Sequence, residues 1–174
     1  MEEAARKIKE NELCWYVAYT MSKAERKVKE RLDKAGMENY LPLQSVTRLW
    51  NDRKKQVIVP VIPGCIFVRV SAQDISKVSM MQGVSFLLKE AGQFASVSNE
   101  QMDAFKCIVE HAGSFVGFAS TGFQPGVSVR IIRGQLKGLV GELVDCQGHN
   151  KLMLRICGLG YALVAVPADY VEKC

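Results

Sequence analysis

Histidine is nearly missing from this chain: among 174 residues only His111 and His149 carry an imidazole. No set of histidines, cysteines and carboxylates recurs at metal-ligand spacing, so no metal site is signalled. The six cysteines, Cys14, Cys65, Cys107, Cys146, Cys157 and Cys174, contain no CxxC pair. That excludes a zinc finger or a thioredoxin-type centre. Several cysteines lie in apolar runs, where a reduced thiol packs as a small hydrophobe, and a reducing compartment is expected. No apolar run approaches the roughly 20 residues that span a bilayer. The opening MEEAARKIKENEL mixes charges and lacks the apolar centre of a secretory signal. A cytoplasmic protein without membrane contact is expected. Gly-rich phosphate loops and nucleophile elbows are also missing. We therefore expect no enzyme, no catalytic residue and no cofactor or metal.

What is present is an ordinary globular composition, 48% hydrophobic and 24% charged, enough for one or two domains. Basic side chains outnumber acidic ones by 23 to 18, a net charge of +5. Such a balance permits a polyanionic partner, so the placement of charge matters more than its sum.

Cys14–Thr20 is aromatic and β-branched and reads as a strand. Ser22 and Glu25 fit a capping box that opens a helix carrying Ala24, Val28, Leu32 and Ala35 on its buried side and ending at Gly36. Tyr40–Trp50 and Lys55–Ser71 read as extended runs, joined by a polar turn at Asn51–Lys54 into a hairpin. Pro60 and Pro63 place an edge or bend in the second run. Ser71–Asp74 repeats the capping pattern before a short helix with Ile75 and Val78, ended by Gly83. Val84–Lys89 is a further strand, and Ser98–Gln101 opens a helix that buries Met102, Phe105, Ile108 and Val109. The order β-α-β-β-α-β-α predicts an α+β plait, an antiparallel sheet with helices on one face.

Ala112–Gly122 is small, Gly-rich and uncharged, which suits a linker, with Phe115 and Phe118 able to dock on a flanking domain. Beyond it, apolar residues alternate at Val127, Val129 and Ile131, at Leu152, Leu154 and Ile156, and at Ala162, Val164 and Val166. Glycines at turn spacing separate these runs and predict a small all-β barrel. The expected division is an extension at 1–13, a first domain at 14–111, a linker at 112–122 and a second domain at 123–174. The glycines Gly134, Gly138 and Gly141 read as barrel positions with positive φ rather than a nucleotide cradle.

Two surfaces could carry function. At about 100° per residue, Lys23, Lys27, Arg31 and Lys34 fill an arc beside the apolar stripe of the first helix, with no carboxylate among them. Such a strip could contact phosphates, or be an ordinary solvated face. On the strand around Phe67, Ile66, Val68 and Val70 share the parity that faces the helices. Cys65 and Phe67 then point to the opposite face, with Tyr19 as neighbour. That face is open for a partner unless the linker or the second domain covers it.

Trp15-Tyr16-Val17, the basic helix with Glu25, and Pro63-Gly64-Cys65-Ile66-Phe67-Val68 resemble the N-terminal domain of NusG-type transcription factors. Phe123–Val129, followed by Gly134-Gln135-Leu136-Lys137-Gly138-Leu139-Val140-Gly141, is similar to the KOW motif of their C-terminal domain. In that motif Gly126, Gly134, Lys137, Gly138 and Gly141 stand at the matching positions. The resemblance, completed by Val166-Pro167, spans about 14 to 172. It implies a domain that binds the clamp helices of the RNA polymerase largest subunit through an apolar patch, where Tyr19, Ile62, Cys65 and Phe67 fall. It also implies a five-stranded SH3-like KOW barrel that recruits a ribosomal protein or a termination factor. Lys27, Arg31 and Lys34 match positions where the specialised paralogue RfaH touches the non-template DNA strand. The compact first domain most resembles the specialised UpxY antiterminators of capsular polysaccharide operons. The expectation is thus a monomeric elongation or antitermination factor that suppresses pausing or termination. RfaH refolds its C-terminal domain into helices, whereas the alternation here favours a barrel. An RNA- or ribosome-binding KOW protein is the alternative. Cys65 and Ile62 favour an apolar groove over a base-stacking surface.

Overall fold

Aromatic and β-branched residues pack well on a pleated surface, and Cys14–Thr20 accordingly forms the first strand, β1. The computed structural model describes residues 12–121 and 126–174. Most of the expected extension at 1–13, the end of the expected linker at Gly122, and Phe123–Pro125 of the KOW-like run lie outside the described residues.

Helix α1 covers Glu25–Lys34, and its expected cap is not made. Ala24 occupies the N-cap position without a side-chain hydrogen bond. Lys23 takes a positive φ of 59° in the preceding turn, which moves the helix start two residues beyond the expected box. Glu25 is released from capping and accepts a hydrogen bond from the Gly64 amide at 2.9 Å. Val28 and Leu32 are buried as expected, whereas Ala35, at the C-cap, is exposed.

The two long extended runs each break at a bend. The first divides into β2 (Glu38–Tyr40) and β3 (Leu43–Trp50), the second into β4 (Arg53–Pro60) and β5 (Cys65–Val70). The second break holds Pro63, which cannot donate to a ladder. Strands β3 and β4 pair only with each other, from Leu43↔Pro60 to Trp50↔Arg53. Asn51 and Asp52 turn the hairpin with φ of 45° and 60°, as a two-residue type I′ turn requires.

A 3₁₀ turn at Ala72–Asp74 leads into α2 (Ile75–Ser79), followed by β6 (Val84–Leu87). The Ser71 hydroxyl bonds the Asp74 carboxylate at 3.0 Å instead of a backbone amide. A small hairpin, β7 (Lys89–Glu90) and β8 (Gln93–Phe94), precedes β9 (Ser96–Val97) and α3 (Asn99–His111). The first sheet runs β2-β5-β1-β6 with β9 also on β1, all antiparallel. Met102, Phe105 and Ile108 are the buried side of α3.

After α3 the described residues form six strands, β10 (Gly117–Ala119), β11 (Val127–Ile131), β12 (Val140–Cys146), β13 (His149–Ile156), β14 (Gly160–Ala165) and β15 (Val171–Lys173), with a 3₁₀ turn at Ala168–Tyr170 before the last. They form one antiparallel sheet in the order β10-β14-β13-β12-β11-β15. The architecture is therefore α+β with a second, all-β sheet. Strand β10 lies within the stretch expected to be linker. Its residues pair with Tyr161–Leu163, and Val116 before it is buried, so this part is no open tether. Val144, Met153 and Leu163 form a small apolar cluster flanked by Ala119 of β10, so β13 and β14 are buried beyond simple alternation.

By spatial proximity the chain forms two compact units. One comprises the described residues up to Leu41 together with Ile62–Asn99; the other comprises Pro42–Val61 and Glu100–Cys174. No helix among the described residues is long and apolar enough to cross a membrane.

Candidate functional site

The apolar residues of β5 converge, but not on an open face. Cys65 is 1% exposed, Phe67 0%, and Ile62 beside them is buried too. The whole of β5 is buried save the partly exposed Arg69, and β1 is buried from Trp15 to Ala18. Both faces of the central strands are therefore covered, which corrects the expected open face. The signal was readable: CWYVA and CIFV are continuous apolar runs, and a strand covered on one side only would alternate. Tyr19 is the accessible member of the group. It lies opposite Cys65 in the β1–β5 register and opposite Phe86 in the β1–β6 register. Its ring stacks on Phe86 at 4.6 Å between centroids. Burial pushes the Cys65 thiol up to about 12, with the nearby Glu25 charge adding to it, while a hydrogen bond with Tyr19 works the other way. Burial likewise raises the Tyr19 phenol, helped by Cys65. Cys65 is thus a neutral packing group, not a nucleophile.

Phe86 was not singled out from sequence, although it belongs to a predicted strand. With Phe94 and the stem of Lys89 it lines an open groove of about 490 Å³. Lys89 sits over the Phe94 ring at 4.8 Å. Phe86 and Phe94 are among the exposed apolar residues of the first unit.

The basic strip is only partly as expected. Lys27 and Lys34 are exposed on α1 without a carboxylate partner among the described residues. Lys23 is exposed but precedes the helix. Arg31 is committed elsewhere: its guanidinium donates to the Gln82 carbonyl at 2.8 Å and to Gln82 Oε1 at 3.2 Å. It ties α1 to the turn before β6, where Gly83 leaves room for Val28 and Arg31. Lys29 and Asp33 pair at 3.0 Å on another side of the helix. The Asp33 carboxyl is held below its usual range, first by Asn39 and then by Lys29.

A sequence model of the family described as transcription termination factor NusG matches residues 13–106, more than half of the chain. The chain belongs to the NusG family. Members are transcription factors rather than enzymes. No curated protein matches the chain at a significant level. Among solved structures it is similar to Thermotoga maritima NusG, described for its domain interaction. Identity there is 21%, over 93% of this chain and 97% of that one, with a TM-score of 0.53. It is also matched to the MjSpt4:Spt5 complex in conformation B, at 14% identity over 91% and 95% of the two chains, with a TM-score of 0.29. The first likeness supports the NusG fold over nearly the whole length.

The family match ends before the second sheet, whose glycines have two distinct reasons. Gly134 and Gly138 adopt φ of 80° and 94°, as expected for turns. Gly141 does not; it lies on β12, where a Cβ would stand 2.8 Å from the Met153 carbonyl oxygen. A Cβ on Gly126 would collide with the Leu143 carbonyl, and the Gly126 amide donates to Glu142 at 2.9 Å. Close strand approach, not positive φ, selects glycine at these two sites. Lys137 is exposed in the turn between β11 and β12. Among the described residues no cluster of three potential metal ligands occurs. His111 is exposed and its Nδ1 lies 3.2 Å from the Cys107 carbonyl.

Proposed function

We propose that the chain is an elongation or antitermination factor that binds the clamp helices of the RNA polymerase largest subunit. The observation that carries this reading is the family match over residues 13–106. In it, residues 14–111 form the polymerase-binding part, 112–122 connect, and 123–174 form the KOW part that recruits a ribosomal protein or a termination factor. The contact surface is the group Tyr19, Ile62, Cys65 and Phe67. Ile62, Cys65 and Phe67 are buried, so docking on this group requires that their cover be displaced, and Tyr19 makes the first contact. The exposed cations Lys27 and Lys34 then meet the non-template DNA strand, with Lys23 beside them. Each such contact is weak and salt-dependent alone, and docking raises the local DNA concentration. The finer assignment to capsular polysaccharide operons rests on the likeness to UpxY proteins.

The test is affinity of the full chain for an isolated clamp-helix fragment, with read-through of a terminator on a target leader as second readout. Tyr19→Ala should weaken fragment binding by about 2 kcal/mol if Tyr19 is a hot spot, with circular dichroism unchanged. Lys27→Ala with Lys34→Ala should leave fragment binding intact and lower read-through. Absence of wild-type binding to the fragment would sink the polymerase reading.

A further inference from the structure

We propose that the tip of the β3–β4 hairpin is a separate nucleic-acid contact, a platform on which unpaired bases of single-stranded DNA stack. Cross-strand partners share a face of the ribbon. The pairs Trp50↔Arg53 and Arg48↔Lys55 therefore place three cations around one indole on a single face. Leu49 and Lys54 occupy the other face at the same end. Trp50 is 73% exposed, although a tryptophan gains most from burial. Its ring makes no ring or hydrogen-bond contact among the described residues. None of Arg48, Arg53, Lys54 and Lys55 has a carboxylate partner there. Between Leu43 and Pro60 the only acid is Asp52, in the turn.

This combination fits one chemistry. Cations spaced along a ribbon neutralise successive phosphates, and an exposed aromatic face stacks on any base. Bases inside a duplex are stacked on one another, so the platform needs unpaired ones. Beside the indole the same face carries the cations, then the pair Val46↔Val57 and, at the far end, Gln44↔Val59, where the Gln44 amide is taken up by Val116. Near the indole it offers no free amide or hydroxyl to reward a ribose 2′-hydroxyl, and stacking accepts any base. Sequence-tolerant DNA binding follows. An acidic peptide would satisfy the cations but leave the indole without a role. The site is independent of the α1 cations and does not rest on polymerase docking.

The chain contains two tryptophans, and Trp15 is 3% exposed, so fluorescence quenching by a ligand reports on Trp50. Titrating the full-length protein with oligothymidine at low salt should quench that emission in a salt-dependent way. Trp50→Ala should weaken binding on the order of tenfold, while Trp50→Phe keeps most of it. Joint Arg48→Gln, Arg53→Gln and Lys55→Gln should flatten the salt dependence. Quenching should persist in the Lys27→Ala, Lys34→Ala variant, which separates the tip from the helix. Oligothymidine binding without Trp50 quenching would overturn the proposal. So would tighter binding of duplex DNA, of oligouridine or of polyglutamate.

Discussion

Strand β5 and the β3–β4 hairpin are both antiparallel and rich in apolar residues, yet they end in opposite environments. Strand β5 lies between β1 and β2, and five of its six residues are buried. The hairpin strands pair only with each other and leave Leu49, Trp50 and Ile58 largely exposed. Hydrophobicity alone thus did not decide burial; the presence of neighbours on both edges and both faces did. An aromatic on β5 is core, whereas one at the hairpin tip is surface available to a partner.

The sharpest break of this comparison is Phe67→Ala. It should cost about 3–5 kcal/mol, because a fully buried aromatic leaves a cavity. Urea denaturation followed by circular dichroism reads the loss, and a cost under 1 kcal/mol would mean that β5 is not core. On the same strand, the raised Cys65 thiol gives that core a pH dependence. The folded state holds the proton more tightly than the unfolded chain, so this contribution is complete below the ordinary value of 9.0. It is lost as pH rises from there through about 12. Cys65→Val should flatten the alkaline limb of a stability profile.

A smaller effect is expected where the hairpin is tied down. Gln44 on β3 acts as a piece of strand: its Nε2 donates to the Val116 carbonyl at 3.0 Å, and its Oε1 accepts from the Val116 amide at 2.9 Å. Gln44→Ala should cost about 1–2 kcal/mol, since Val116 is left with unpaired backbone groups. Faster hydrogen exchange at the Val116 amide checks it. The smallest change belongs to the tip. Trp50→Ala should cost no more than about 0.5 kcal/mol in urea denaturation, because the side chain is 73% exposed. A large loss would show that the indole is structural.

Local patterns were legible where one feature decided the outcome. Asn51-Asp52 tolerates positive φ, so the hairpin turn followed from residue type, and the glycines at 134 and 138 did likewise. The apolar spacing of α1 correctly placed Val28 and Leu32 inward. The capping box failed because two side chains, Ser22 and Glu25, suit a helix start only if the intervening backbone is helical, and Lys23 is not. The strip Lys23, Lys27, Arg31 and Lys34 was right in charge and incomplete in consequence. A helical wheel cannot show that Gln82, distant in sequence, takes up Arg31.

By itself, the sequence determined the α+β class, the switch to all-β texture after α3, the hairpin and the family motifs. These follow from short-range periodicity and from residues with restricted backbone preferences. Only the tertiary structure decided that Cys65 and Phe67 are covered, that Gly117–Ala119 joins the second sheet, and that Trp50 stands exposed among cations. Each depends on which distant strand supplies the neighbouring edge or face, and no local window of sequence contains that partner.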